Sequence, residues 1–323
     1  MFPAAESSFG MGDELTMARD CPVCTSATGP SFQLEKNGYR VNGCADCEHL
    51  FVDPVPTSEE LAEVYSLDGG YMPKAEAMTR APIPAKFVER LGYLRQHRKQ
   101  GRLLDVGCSF GQLLRAADEA GFEPVGVEMN LDTAALARSL GFDVVEGALE
   151  QAGFEEGSFD VVHLGDLIEH VPDVFGLLSE VRRVLRGDGV VILTTPNHDA
   201  FFPRATRRFG RWVGLPWSHA TPPHHLHQFS CGSLDRLFDR VGLERVDIRY
   251  EPILLRYEIG ATLAPQSLKR AVIARRPIAA LRYAVASGFA VAGYSTLALL
   301  ERLLPPSRPR GTMSVIARVS PAA

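Results

Sequence analysis

The stretch that decides the fold of this chain reads Leu103-Leu104-Asp105-Val106-Gly107-Cys108-Ser109-Phe110-Gly111. An apolar strand leads into a turn with two glycines, and a predicted helix follows at about residues 111–120. Gly107 and Gly111 permit a sharp turn and the close approach of a ligand to the backbone. The N-terminus of the helix offers backbone N–H groups that have no partner within the helix. This stretch therefore predicts a ligand-binding loop.

A carboxylate at the end of the next predicted strand, Glu128, identifies the ligand further. In a doubly wound fold, an acid at this place binds ribose hydroxyls. A dinucleotide site would instead show the G-x-G-x-x-G pattern. Asp105 puts a negative charge into the loop, which would repel a pyrophosphate and suits a ligand with a cationic amino group, such as a methionine moiety.

Strands and helices alternate along the middle of the chain. We predict strands at 102–106, 124–128, 143–146, 159–164 and 189–195, and helices at about 111–120, 131–140 and 173–185, with Gly121, Gly141 and Gly187 as stop residues. A helix from Ser233 to Val241, a strand at 244–250 and a last strand, Met313 to Val319, follow. The pattern predicts an α/β, Rossmann-like, doubly wound fold with a mostly parallel seven-stranded sheet.

Composition sets the limits for the rest of the chain. The 323 residues carry a net charge of −5, which does not indicate a nucleic-acid-binding surface. The N-terminus has no apolar signal segment, so we expect a cytoplasmic protein with reduced cysteines. We divide the chain into a flexible tail (1–19), a cysteine module (20–50), a linker and helical lead-in (51–100) and the α/β domain (101–323), which includes an insertion at 251–311.

Four cysteines form two C-x₂-C pairs: Cys21 with Cys24, and Cys44 with Cys47. This spacing is typical of a zinc ribbon, in which four thiolates close a tetrahedral shell around a structural Zn²⁺. A redox dithiol is the alternative. The module holds only Lys36 and Arg40 as cations, which argues against nucleic acid as its partner.

The loop spacing Asp105-x-Gly107-x-Ser109-x-Gly111 resembles motif I of the class I S-adenosylmethionine-dependent methyltransferases. The resemblance continues at Glu128, 147–150, 158–162, 166–170 and 195–197, and covers roughly residues 85–250 and the last strand. It implies that S-adenosylmethionine is held by Asp105, Gly107, Ser109, Gly111, Glu128, Met129, Ala148, Leu149 and Asp166. Ser109 replaces a common glycine and Ala148 a common aspartate, so adenine recognition would fall to backbone groups around Ala148 and Leu149.

The segment after the cysteines, 51–71, resembles the lead-in of methyltransferases that carry an N-terminal zinc-binding module. Some of these methyltransferases C-methylate nucleotide-linked deoxysugars, and they carry a further C-terminal domain. We expect this chain to be too short to contain that domain. Tyr71 could close over the cofactor or serve as a core aromatic. Asp160 is expected to order a loop, and Cys108 to pack.

Histidines mark the expected acceptor side. A hydroxyl acceptor needs a base, and histidine is best matched to neutral pH. The candidates are His225 first and His170 second, followed by His224 and His227. In an extended segment, His225 and His227 would share one face. There are two alternatives. The histidines could bind a second metal, with His219 as a further ligand, or they could merely form hydrogen bonds with the loop backbone.

Two further features bear on partners. Arg204, Arg207, Arg208 and Arg211, with Trp212 and Trp217, suit a phosphorylated acceptor such as a nucleotide sugar or lipid-linked glycan, or form a solvated basic face. The 251–311 insertion contains an uncharged run, Tyr283 to Leu300, at the lower length limit of a membrane span. We expect a helical hairpin that caps the active site, forms a homodimer or lies on an anionic membrane surface through residues 265–305. A membrane-spanning helix is the less favoured alternative.

Together these observations predict an S-adenosylmethionine-dependent methyltransferase. It would act on a small-molecule or glycan- or lipid-linked acceptor, at oxygen and with histidine assistance. The alternatives are C-methylation of a nucleotide-linked sugar and a non-catalytic cofactor-binding scaffold. A nucleic-acid methyltransferase is a third alternative, which the few cations of the cysteine module disfavour.

Overall fold

A computed structural model describes residues 20–27, 31–57, 59–61, 82–213, 217, 219–252, 277–305 and 307–321. The side chains of 209–213, 277–287 and 289–290 are outside this description. The predicted tail at 1–19, the position of Tyr71 and the first part of the insertion therefore lie outside the described residues.

Seven strands form the central sheet: β4 Gly101–Val106, β5 Phe122–Glu128, β6 Asp143–Glu146, β7 Phe159–Gly165, β8 Leu185–Pro196, β10 Leu243–Glu251 and β11 Thr312–Val319. They lie in the order β10-β11-β8-β7-β4-β5-β6. Only β11 runs antiparallel to its neighbours β8 and β10. The predicted seven-stranded, mostly parallel sheet is confirmed. The strand order reverses beside β4, and in such sheets ligands bind outside the carboxyl ends of the strands at this point.

The described helices are α1 Ala85–Leu94, α2 Gln112–Glu119, α3 Leu131–Ser139, α4 Val174–Val184, α5 Phe201–Val213, α6 Cys231–Val241 and α7 Pro277–Leu303. Local signals explain their starts: the Asn130 side chain accepts hydrogen bonds from the N–H groups of Asp132 and Thr133 and so caps α3. Gly187 does not end a helix as predicted. It lies inside β8, because Leu185 is buried and already pairs with Phe159.

The cysteine module has its own antiparallel sheet. Its strands are β1 Ser31–Lys36, β2 Tyr39–Gly43, β3 Leu50–Val52 and β9 His227–Gln228, and they lie in this order across the sheet. The last of these comes from the histidine-rich segment, far along the chain. The module and the segment with the candidate bases therefore share one sheet.

Only the second part of the insertion is described, and it forms the single helix α7. Tyr294 packs its ring 5.9 Å from that of Phe202 in α5, and Glu301 accepts a hydrogen bond from the Phe202 N–H at 3.2 Å. Among the described helices, α7 included, none combines the length and apolar character that crossing a membrane requires. The predicted hairpin, homodimer and membrane contact stay predictions.

Candidate active site

The glycine loop between β4 and α2 turns through left-handed backbone conformations. Gly107 has φ 74°, Ser109 φ 50° and Gly111 φ 79°. The N–H groups of Gly107 and Cys108 donate to the Val127 carbonyl at 2.8 and 3.0 Å, which fixes the loop to the end of β5. A Cβ atom on Gly107 would crowd the Leu167 side chain at 3.2 Å, and few side chains adopt its positive φ, so both features favour glycine here.

Glu128 is held at the carboxyl end of β5 by two backbone donors. Its carboxylate accepts hydrogen bonds from the N–H groups of Ser109, at 2.7 Å, and Asn130, at 2.8 Å. Burial raises the pKa of the Glu128 carboxyl against the opposing effect of these N–H groups. The side chain of the next residue, Met129, is 74% exposed. A fixed carboxylate beside an exposed apolar side chain suits a ligand with a ribose and a flat base.

Two other predicted cofactor residues, Ala148 and Leu149, lie beside Glu128. The Gly147 N–H donates to the Glu128 carbonyl at 2.9 Å, which places the following turn next to this strand end. The Leu149 side chain is buried in the core. The role of backbone groups around Ala148 and Leu149 in binding adenine stays a prediction. Cys108 is also buried and packs against the α2 and α3 side of the sheet.

Asp105 is buried, and its carboxylate accepts a hydrogen bond from His163 Nδ1 at 2.6 Å. His163 lies in the neighbouring strand β7, in register with Asp105. The carboxylate thus faces an adjacent strand, whereas the sequence pattern predicted that it faces the loop. Sequence reasoning missed His163, and its place opposite an acid in a parallel pair was the available signal.

Asp166 follows β7 with φ 55° and faces helix α1. Arg90 donates to its carboxylate at 2.9 Å, and Lys86 Nζ lies 3.7 Å away. Burial opposes ionisation of Asp166, but Arg90 and Lys86 outweigh it and lower the pKa of the carboxyl. Asp166 therefore joins α1 to the carboxyl ends of the central strands. Arg90 and Lys86 were not singled out from the sequence.

Three of the predicted histidines come together beside the same strand ends. The rings of His170 and His225 meet edge to face, with centroids 4.9 Å apart, and His170 Nδ1 donates to the His224 carbonyl at 2.6 Å. The Leu226 N–H donates to the Glu169 carbonyl at 2.7 Å. Because the His170 N–H also donates to the carbonyl of Leu167, which lies against Gly107, this cluster is next to the glycine loop.

The electrostatics of this cluster keep its imidazoles neutral. Burial and the neighbouring His170 hold the pKa of His225 well below its ordinary value, and burial lowers the pKa of His170. Burial, followed by the charge of Asp166, raises the pKa of Glu169 to about 8. The Glu169 carboxyl also accepts a hydrogen bond from the Thr195 hydroxyl at 2.9 Å. A neutral, buried imidazole can accept a proton from an acceptor hydroxyl.

His227 lies elsewhere, in β9, where its Nδ1 is 3.0 Å from His49 Nε2. His225 and His227 contact different partners: His225 lies against the His170 ring and its N–H donates to the Thr221 carbonyl, whereas His227 lies against His49. That the two histidines share one face stays a prediction. His219 packs its ring 5.5 Å from that of Trp217. A metal at this cluster would instead use Glu169, His170 and His225, whose ligand atoms lie within 4.8 Å of one another.

The arginines of the predicted basic face differ in their contacts: some are exposed, and one contacts the cysteine module. Arg204 donates to Asp199 at 2.9 Å and is well exposed. Arg207 donates to Gln33 of the cysteine module at 2.6 Å and lies over the Trp217 ring. Arg208 is exposed, whereas the side chains of Arg211 and Trp212 are outside the described residues. Asp160 accepts hydrogen bonds from the Arg102 N–H and from Arg98 and Arg186, and so joins the starts of β4 and β8.

The four cysteines form a cluster whose geometry fits a tetrahedral metal. Cys21 and Cys47 have sulfurs 3.6 Å apart, those of Cys24 and Cys44 are 3.5 Å apart, and all four lie within 4.8 Å of one another. Zn–S bonds of about 2.3 Å in a tetrahedron place sulfurs roughly 3.8 Å apart. The cluster is therefore compatible with a zinc ribbon.

Both cysteine pairs have the same local backbone structure. The residue after each pair has a left-handed φ, 55° at Thr25 and 58° at Glu48. Each donates its N–H to the carbonyl of the first cysteine of its pair, at 2.9 and 3.1 Å. The N–H of each first cysteine donates in turn to a carbonyl five residues on, that of Ser26 or His49. Two matching turns thus point four sulfurs at one centre.

The sheet order, the glycine loop and Glu128 define a Rossmann-like methyltransferase fold. The model of a family described as "Methyltransferase domain" matches residues 77–248, more than half of the chain. The chain belongs to this methyltransferase family.

Two curated relatives are similar over part of the chain. The "Ubiquinone biosynthesis O-methyltransferase" of Actinobacillus pleuropneumoniae is 30% identical over 123 residues, which are 33% of this chain and 52% of the relative. A protein of Mycolicibacterium smegmatis named "Probable S-adenosylmethionine-dependent methyltransferase" is 30% identical over 154 residues, 47% of this chain and 55% of the relative. The chain spans about half the length of these relatives.

A solved structure shows the same fold. The [4+2]-cyclase SpnF aligns with a TM-score of 0.51 over 83% of this chain and 99% of its own, at 20% identity. This similarity concerns the fold alone.

Proposed function

We propose that this protein transfers the methyl group of S-adenosylmethionine to an oxygen atom of a small-molecule or glycan- or lipid-linked acceptor. The observation that carries the proposal is the position of His225 and His170, neutral and packed together, beside a glycine loop whose carboxylate Glu128 suits ribose. Relatives named for O-methylation in ubiquinone biosynthesis favour oxygen over carbon as the site of transfer.

S-adenosylmethionine, when bound, supplies a methyl group already activated by its sulfonium, so the protein mainly aligns and orients the reactants. Glu128 and the glycine loop would hold the ribose end, and the exposed Met129 would pack against the base. Asp105, bonded to His163 in the neighbouring strand, would fix the end of β4 from which the glycine loop begins. His225 would accept the hydroxyl proton of the acceptor, and His170, which donates to the His224 carbonyl, would orient His225.

Zinc is the proposed occupant of the four-cysteine cluster. Its four thiolates would complete the coordination shell and leave no open position, so the ion would be structural. Separately, the exposed Arg204 and Arg208 would bind an anionic group of the acceptor at the protein surface. The alternative of a scaffold without turnover predicts binding of S-adenosylhomocysteine but no transfer to any acceptor.

The test is methyl transfer from labelled S-adenosylmethionine to a panel of catechols, phenols and nucleotide sugars, followed by mass spectrometry. We expect a product heavier by one methylene and carrying the label on oxygen. Label on a sugar carbon would establish C-methylation instead. Binding of S-adenosylhomocysteine without product from any acceptor, or from cell extract, would support the scaffold.

A further inference from the structure

The tip of the β1–β2 hairpin, Lys36 and Asn37, contacts the loop that precedes the candidate bases. Lys36 Nζ donates to the backbone carbonyls of Trp217, at 2.9 Å, and Ala220, at 2.7 Å. The Asn37 side-chain amide donates to the Pro222 carbonyl at 2.8 Å. Three carbonyls directly ahead of His224 and His225 therefore receive hydrogen bonds from one turn of the cysteine module.

The sequence itself sets the shape of this tip. Asn37-Gly38 is the two-residue loop that most favours a tight hairpin, and Asn37 has φ 58°. Its side chain is therefore presented by a turn of defined geometry. Lys36, the last residue of β1, is half-buried, so its ammonium group lies between the module and the loop.

The far end of the same loop is also bound to the module. The Val52 N–H donates to the Leu226 carbonyl at 2.9 Å, and β9 pairs Phe51 with His227. Trp217, Ala220 and Leu226 are buried in one apolar cluster with Val41, Leu50 and Val52 of the module. Between these two attachments, the loop contacts the methyltransferase domain through His170 and Glu169.

We propose that Lys36 and Asn37 are positioning residues, which hold the histidine loop (217 and 219–225) in place on the acceptor side of the site without a role in cofactor binding. The inference rests on the proposed function only in that it treats this loop as part of the acceptor site. The cysteine module then contributes to the site, because its folded hairpin fixes one wall of it. Buried carbonyls need donors, and Lys36 supplies two of these bonds.

Hydrogen–deuterium exchange tests this proposal in the full-length, metal-loaded protein. The reporting amides are those of His225, bonded to Thr221, and Leu226, bonded to Glu169. We expect Lys36→Met to speed their exchange about tenfold, the effect of losing roughly 1.4 kcal/mol of local stability. Lys36→Arg, which keeps donors at this place, should restore most of the protection. Glu35→Gln, an exposed neighbour on the same hairpin, is the matched control and should change nothing.

A second variant keeps the test informative if Lys36→Met lowers the stability of the whole chain. Asn37→Asp preserves the left-handed turn but cannot donate to Pro222, and it should speed exchange in peptides covering 217–226 alone. Unchanged exchange in this region in both variants would overturn the positioning role. The positioning role would also be overturned if Asn37→Asp sped amide exchange equally throughout the methyltransferase domain.

Calorimetry with S-adenosylhomocysteine separates this inference from the proposed function. Lys36→Met should bind the ligand as the wild type does, because the glycine loop and Glu128 are untouched. A tenfold weaker affinity in Lys36→Met would contradict the assignment to the acceptor side. If the wild type itself failed to bind, the proposed function would fail, while the exchange data would still decide whether the hairpin holds the loop.

Discussion

The donor side and the acceptor side of this site are built in different ways. Residues 105–129 form the donor side from one strand-turn-helix-strand unit, in which Glu128 and Ser109 lie close in sequence and are hydrogen-bonded. The acceptor side joins Glu169 and His170 to the distant segment 219–227, and this segment completes a sheet with residues 31–52. The first side depends on local sequence, whereas the second depends on three separate parts of the chain.

This difference predicts that the two sides can be damaged separately. A change on the donor side should affect cofactor affinity, because the glycine loop and Glu128 are assigned to the cofactor. A change on the acceptor side should affect turnover and leave cofactor affinity unchanged. The variants below are ordered from the largest expected effect to the smallest.

His225→Ala should lower the rate of methyl transfer by about 100-fold or more, the range for loss of a general base. The measurement is the turnover rate at saturating S-adenosylmethionine with the acceptor found in the panel. His97→Gln, a histidine bonded to Asp247 away from the site, is the control and should keep its rate. Full turnover of His225→Ala would remove His225 from the mechanism and leave His170 as the candidate.

Glu128→Gln should weaken S-adenosylhomocysteine binding on the order of 10- to 100-fold, as expected for loss of charged hydrogen bonds. An amide offers one acceptor oxygen, so it cannot receive the N–H groups of Ser109 and Asn130 as the carboxylate does. Calorimetric titration measures the change. Glu150→Gln, an exposed acid on the neighbouring turn, serves as the control. Unchanged affinity in Glu128→Gln would contradict the ribose assignment.

Cys24→Ser should abolish stoichiometric zinc and lower the unfolding midpoint by roughly 5 °C, since a structural metal contributes to folding. Elemental analysis of the purified protein and a thermal melt are the measurements. Cys231→Ser is the matched control, because Cys231 lies outside the four-cysteine cluster and bonds to Tyr250. Equal zinc in both variants would show that the cluster does not hold the ion.

Glu169→Gln should change the pH dependence of stability. The pKa of Glu169 is raised to about 8, so the folded protein binds a proton that the unfolded chain releases near pH 4.5. The wild type therefore loses stability as the pH rises through this interval, and the loss is complete above about pH 8. The variant should lack this loss, as measured by urea unfolding at pH 5 and pH 9. Parallel losses in both proteins would assign the pH dependence to other groups.

Sequence reasoning was strongest where the structure is local. The strand–glycine–helix pattern placed β4, α2 and Glu128, because each signal lies within a few residues of its structural effect. It could not place His227, since its partner His49 is separated from it by 178 positions. His163 was missed for a similar reason: only strand register brings it to Asp105.

The most direct test of the separation is a calorimetric titration of S-adenosylhomocysteine into the wild type and into His225→Ala, under the same conditions. We predict clear binding by both proteins with equal affinity, because His225 is not among the residues assigned to the cofactor. The separation of donor and acceptor sides would be contradicted if the wild type did not bind, or if His225→Ala lost more than about tenfold in affinity.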